Sequence, residues 1–298
     1  MFDDDLSPLC LLMPSIATEQ QQYKTYILTD AASRLEVVPE RGGIITRWQV
    51  GDRELLYLDA ERFANPELSV RGGIPILFPI CGNLPNNTYT HQGQLYTLRQ
   101  HGFARELPWE VVDESTQAGV SITLVLNSSD RTLPHYPFDF QLSFTYRLQG
   151  NSLILQQRYT NRSAEVMPFS TGLHPYFQVS DKSQLQFEIP ATEFLNQVDQ
   201  TVHPFAGSFD LSWDEIDVAF RKVTRQTASV TDPSQSLKLT LDYDPIYATL
   251  VFWTVKGKDY YCLEPWTAPR NALNTGENLT HLEPGATLET TVTLTASF

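Results

Sequence analysis

The chain has 298 residues, 41% of them hydrophobic, 11% aromatic and 19% charged, a globular composition too rich in aromatics for a disordered chain. Its formal net charge of −14 repels phosphate backbones and argues against nucleic-acid binding, while a small neutral ligand would feel little of that field. No run approaches the roughly 20 apolar residues of a membrane-spanning helix. The opening "MFDDDLSPLCLLMPSIA" is acidic where a secretory signal is basic, so no such signal is expected. Cys10, Cys81 and Cys262 are odd in number and far apart, with no CxxC pair. That pattern fits a reducing compartment and leads to the expectation of a cytoplasmic protein.

In chain order, residues 1–20 read as a short, loosely ordered lead, and residues 21–298 as one domain. "YKTYIL", "RLEVV" and "GIITRWQV" alternate apolar and polar residues as strands do. From Arg62 to Trp109 the pattern breaks into "RGGIPILFPICGNLPNN" and "HGFARELPW", dense in Gly, Pro and Asn. A loop of this length in a compact domain is functional or disordered. Ile74, Ile76, Leu77, Phe78 and Ile80 imply that it is packed, and packed loops over a sheet commonly carry binding sites.

Strand patterns resume in "VSITLVL", "FDFQLSFTYRL" and "SLILQQRYT", the last two joined by the two-residue turn Gly150-Asn151. "SLKLTLDY", "YATLVFWTV" and "TLETTVTLTA" complete the series, with Gly42-Gly43, Asp232-Pro233 and Pro284-Gly285 marking other boundaries. There is no long helical stripe, linker or fixed-period repeat. The expected fold is all-β, a large antiparallel sandwich of two sheets packed face to face with few short helices.

One residue is out of place in this pattern. Glu264 stands in "YYCLEPW", a carboxylate among aromatics at the end of an apolar strand. It either receives backbone N–H groups from the loop after Pro265 or serves chemistry that needs a sheltered carboxylate. Of six histidines, His101 in "RQHGFAR" and His174 in "STGLHPYF" lie in Gly/Pro-rich aromatic contexts, and His135 lies in "LPHYPFDF". His91, His203 and His281 occupy polar contexts that read as exposed turns. No HxH, HExxH or Cys/His spacing occurs, so a metal site would have to be assembled from distant positions. No GxSxG elbow, GxGxxG fingerprint or phosphate-cradling Gly-rich motif is present, which disfavours a serine hydrolase and nucleotide cofactors. A glycosidase pair of Glu264 with Asp214, Glu215 or Asp217 is weighed against a solvated turn at "LSWDEIDVAF".

Together "RGGIPILFP", "HGFAR" followed by Trp109, "TGLHPYF" and "CLEPWTAPRNALN" resemble the aldose 1-epimerase (galactose mutarotase-like) family, from about Tyr23 to Thr295. The resemblance implies a large antiparallel β-sandwich and an isomerase that interconverts the α and β anomers of a sugar without metal or other cofactor. It implies Glu264 as the base and His174 as the acid. It implies sugar binding by His101, Arg71 and Asp217, the last on a shorter local match in "IDVAF". Trp266 or Phe103 could stack on the sugar or simply pack in the core, and Arg71 could instead anchor its loop through a carboxylate.

The implied chemistry removes a proton from the anomeric hydroxyl and delivers one to the ring oxygen. The ring opens to an aldehyde, C1–C2 rotates, and closure reverses both transfers. Burial should raise the Glu264 pKa, and a neighbouring carboxylate should favour protonated His174. The expected substrate is an unphosphorylated hexose. One alternative is a hexose 6-phosphate held by Arg71 and Arg105; another is a carbohydrate-binding sandwich without activity.

Overall fold

The computed structural model describes residues 12–298, and Cys10 lies outside them. The fold is an all-β antiparallel sandwich built from three large sheets. The first is a five-stranded meander of Leu12–Gln20, Lys24–Ala31, Ser33–Val38, Ile44–Val50 and Arg53–Glu54. The segment expected to be a loose lead is therefore, over residues 12–20, a strand paired with Lys24–Ala31. From Met13 to Gln20 its side chains are exposed except Ile16, which packs against the core, so backbone pairing does most to hold it and no apolar alternation marks it in the sequence.

The second sheet has eight strands, in the order Gln186–Glu188, Thr227–Asp232, Leu237–Tyr243, Thr287–Ser297, Ser152–Asn161, Phe140–Gln149, Val120–Asn127 and Glu110–Ser115. Its central strands alternate as their sequences do. Phe140, Leu142, Phe144, Tyr146 and Leu148 are buried while the residues between them are half-buried, the period of two that puts one face on a core. The third sheet carries Val202–Pro204, Glu193–Asn196, Glu215–Phe220, Thr249–Val255, Tyr260–Trp266, Gly172–Leu173 and Ile76–Leu77, and Tyr176–Gln178 also pairs with Tyr260–Trp266. One apolar cluster draws Leu28 and Val37 from the meander, Phe144 and Leu155 from the second sheet, and Phe252 and Leu263 from the third.

The Gly/Pro-rich stretch is packed, as its apolar residues imply. Phe78 is fully buried against Phe103, Tyr136, Phe140, Tyr159 and Phe169. Burying such a ring is worth about 1.5–3 kcal/mol, which pins the loop to the second sheet. Two short helices, Ala60–Ala64 and Ala272–Thr275, interrupt the strands. Asp59 caps the first by accepting the Arg62 N–H at 3.0 Å. Among the described residues no helix is long and apolar enough to cross a membrane.

Candidate active site

The site is one face of the third sheet. Gly172 pairs with Trp266 and Tyr176 with Cys262, and the same register puts His174 opposite Glu264. Between the two pairs the chain departs from the ladder at His174-Pro175. Proline has no N–H to give, and the His174 N–H turns instead to the Pro75 carbonyl at 3.0 Å. On the other side Glu264 pairs with Val251, Cys262 with Trp253, Val251 with Ala219 and Trp253 with Asp217. Alternation sends these side chains to one side of the sheet. Small residues, Ala219, Val251 and Gly172, lie among tall ones, Trp253, Trp266 and Tyr176, and the step in height makes a hollow.

The hollow measures 430 Å³, and Arg71, His101, Arg105, His174, Asp217, Glu264 and Trp266 all line it. A separate shallow pocket along Lys182 and Trp213 holds none of these residues. Glu264 is 1% exposed and lies inside the strand Tyr260–Trp266 rather than at its end. One carboxyl oxygen accepts the Trp266 indole N–H at 3.0 Å, and the other lies 3.3 Å from His174 Nε2. Among the described residues no backbone N–H donates to it, so the loop-capping alternative is not the one adopted.

Burial, with the Asp217 charge second, pushes the Glu264 carboxyl well above the usual carboxylate range. Burial also pulls the His174 imidazole down to about 3, with Arg105 as the next cause. The expectation that a neighbouring carboxylate keeps His174 protonated is thus corrected: burial and the Arg105 and Arg270 charges all work against the ring's proton, and the resting ring is neutral. Tyr176 stacks on it at 4.7 Å with the planes 11° apart, and its Nδ1 has no hydrogen-bond partner.

His101 is held by Gly82 from both ends: its backbone N–H donates to the Gly82 carbonyl at 2.7 Å, and its Nδ1 accepts the Gly82 N–H at 3.1 Å. The neutral ring therefore carries its proton on Nε2. Burial, then Arg105, holds its pKa well below the ordinary value. His101 adopts φ 66, rare for a residue with a Cβ and a form of strain that functional sites carry.

Asp217 is buried between Gln197, whose amide donates to it at 2.7 Å, and Arg270, which donates at 2.6 Å. Burial raises its pKa, and Arg270 opposes that. Arg105 is half-buried and donates to the Gln100 carbonyl at 2.9 Å, while its Nε has no partner. Arg71 is exposed at the rim, and among the described residues it makes no ion pair, so it does not anchor its loop through a carboxylate.

Trp266 is 1% exposed and meets His101 edge-on. It orients the base rather than offering a face. Phe103 packs on Phe140 and is absent from the cavity lining. The more open ring is Trp253, which donates its N–H to Glu215 at the rim at 2.6 Å. Sequence reasoning did not single out Arg270, Trp253, Tyr176 or Gln197. Arg270 was in view, four residues after Trp266 in "EPWTAPR", but its partner Gln197 lies 73 positions away.

The sequence profile described as aldose 1-epimerase matches residues 24–295. The chain is 26% identical over 292 residues to the chromosomal LacX protein of Lactococcus lactis, covering 87% of this chain and 90% of that one. It is 27% identical over 189 residues to a protein of Salmonella typhimurium carrying the name "Putative glucose-6-phosphate 1-epimerase", over 63% of this chain and 60% of the other. The crystal structure of the Slr1438 protein of Synechocystis sp. PCC 6803 superposes with TM-score 0.91 at 46% identity, covering 96% of this chain and 98% of that one. A register-matched glutamate and histidine over a polar hollow, on a sandwich of this kind, agree with the profile, and the chain belongs to the aldose 1-epimerase family.

Proposed function

We propose that the protein is an aldose 1-epimerase that interconverts the anomers of an unphosphorylated hexose. The observation that carries this reading is the Glu264–His174 pair, 3.3 Å apart and facing one cavity. A hemiacetal edge between them receives both proton transfers. The pair reacts in its ion-pair form, reached when the Glu264 proton passes across the 3.3 Å gap to His174 Nε2. The carboxylate takes the proton of the anomeric hydroxyl and the imidazolium gives one to the ring oxygen, which returns the pair to its neutral resting form beside the open aldehyde. The shifts support this direction. A carboxylate with raised proton affinity is a stronger base, and an imidazolium with lowered affinity is a stronger acid. The neutral pair favoured by burial is the state that accompanies the open chain.

His101 Nε2–H, Arg71 and the Asp217 carboxylate supply donors and acceptors for ring hydroxyls, with Trp253 as the open aromatic face. The volume lies within the usual range for small-molecule sites. The buried, unpaired Cys81 and Cys262 support a cytoplasmic setting.

A second reading has an observation of its own. Arg62, Arg71 and Arg105 line the same cavity, and three guanidiniums suit the phosphate of a hexose 6-phosphate. NMR exchange rates for glucose, galactose and glucose 6-phosphate decide between the two. Faster exchange of the free sugars is expected. A strong preference for the phosphate sugar that disappears in Arg105→Ala overturns the choice, and no acceleration of any of the three leaves a binding module instead.

A further inference from the structure

One buried group beside the pair has no part in the proton transfers. Cys262 precedes Glu264 by two residues on the same strand, so its thiol leaves the sheet on the face that carries the carboxyl. Its register partner is Tyr176, which makes it the diagonal neighbour of His174. A ring nitrogen of His174, the Cys262 Sγ and a Glu264 oxygen all lie within 4.8 Å of one another, and all three residues are buried.

The geometry suits an ion. Tetrahedral zinc with nitrogen and oxygen ligands at about 2.0 Å sets those two atoms about 3.3 Å apart, and His174 Nε2 lies 3.3 Å from Glu264 Oε1. A thiolate at about 2.3 Å belongs about 3.6 Å from the other ligands, so a side-chain adjustment of roughly 1 Å completes the set. Sulfur, imidazole and carboxylate together select a borderline-soft divalent ion over magnesium or calcium. Surface carboxylates cluster without ions, but these donors are sheltered, since Cys262, His174 and Glu264 are all buried. Because His174 and Glu264 line the cavity, a fourth ligand position opens toward it.

We propose that Cys262, His174 and Glu264 form a binding site for a thiophilic divalent cation of the zinc type, and that its occupation switches the sugar reaction off. Binding forms metal–sulfur, metal–nitrogen and metal–oxygen bonds. The protons of the thiol and the carboxyl leave to solvent, and no group changes oxidation state. With both proton-transfer groups committed to the ion, neither can serve a hemiacetal. The inhibition rests on the anomerase reading above, whereas the coordination itself does not.

The test titrates Zn²⁺, against a chromophoric chelator, into metal-free wild type, Cys262→Ala and Cys262→Ser, with zinc-edge X-ray absorption on the stoichiometric wild-type complex. The expected result is one ion per chain, one sulfur at about 2.3 Å and nitrogen or oxygen ligands at about 2.0–2.1 Å. Anomer exchange should stop on binding and return with chelator. Cys262→Ala should keep exchange, lose its sensitivity to zinc and bind the ion more weakly by over the roughly 10–100-fold that loss of an outer-shell partner costs. Equal uptake by all three proteins, or an absorption spectrum without sulfur, overturns the site. If both variants fail to fold, the wild-type spectrum decides alone. If the wild type exchanges no sugar at all, the activity reading falls while the sulfur signal still decides the metal site.

Discussion

A carboxylate inside an apolar strand costs several kcal/mol of lost hydration unless each oxygen is addressed. Glu264 has two partners, the Trp266 N–H and the His174 ring, and its remaining capacity faces the cavity. The arrangement holds a carboxyl of raised proton affinity against the substrate cavity at some expense in stability. Glu264→Gln keeps the size and the hydrogen-bonding shape while removing the base. Anomer exchange measured by polarimetry should then fall about 10²–10⁴-fold, with the circular dichroism spectrum unchanged and thermal stability equal or higher. A variant that exchanges anomers at the wild-type rate would remove Glu264 from the chemistry.

Elements rather than single residues deliver the other groups, chiefly the Gly/Pro-rich stretch laid over the third sheet. Gly82 is its tightest point. It has φ +70, and a Cβ there would stand 2.3 Å from Arg270 Cγ. Gly82→Ala therefore meets both a left-handed backbone, unfavourable by about 1–2 kcal/mol, and the stem of the arginine that holds Asp217. Gly82 also makes both hydrogen bonds that orient His101. The expected outcome is a KM raised more than kcat is lowered, because binding groups move while the Glu264–His174 pair stays in its ladder. A kcat loss with KM intact would show that this loop does not set sugar binding. The same contrast explains what could be read from the sequence. Long strands buried on one face, such as Phe140–Gln149 and Ser152–Asn161, announce themselves by alternation. Ile76–Leu77, Gly172–Leu173 and Tyr176–Gln178 are two or three residues long, too short to show a period, and they bring the loop to the sheet. Glu264 and His174 stood out through chemically odd settings and family words. Their pairing depends on a register that passes across the His174-Pro175 break, and no local pattern encodes that.

At the scale of the whole molecule, burying these groups ties stability to pH. His174 binds its proton at about 3 in the native site against 6.5 for a free ring. Between those values the unfolded chain takes up a proton that the folded one refuses, so this contribution is intact above pH 6.5 and declines as pH falls toward 3. The slope is about 1.4 kcal/mol per pH unit. His101 acts in the same direction, because burial lowers its proton affinity too. Glu264 opposes both. Its raised affinity means the native state keeps a proton that the unfolded chain releases above about 4.5, so its contribution weakens as pH rises. A wild-type curve therefore mixes the signs, and the difference between two proteins separates them. His174→Gln removes the titrating ring and keeps a neutral polar side chain opposite Glu264. Denaturant unfolding at pH 7, 6 and 5 should find the variant gaining on the wild type by about 1.4 kcal/mol per unit once the pH is below 6.5. Parallel curves for the two proteins would mean that His174 titrates alike in the folded and unfolded chains, and then a sheltered, neutral imidazole across from Glu264 is the wrong description of this site.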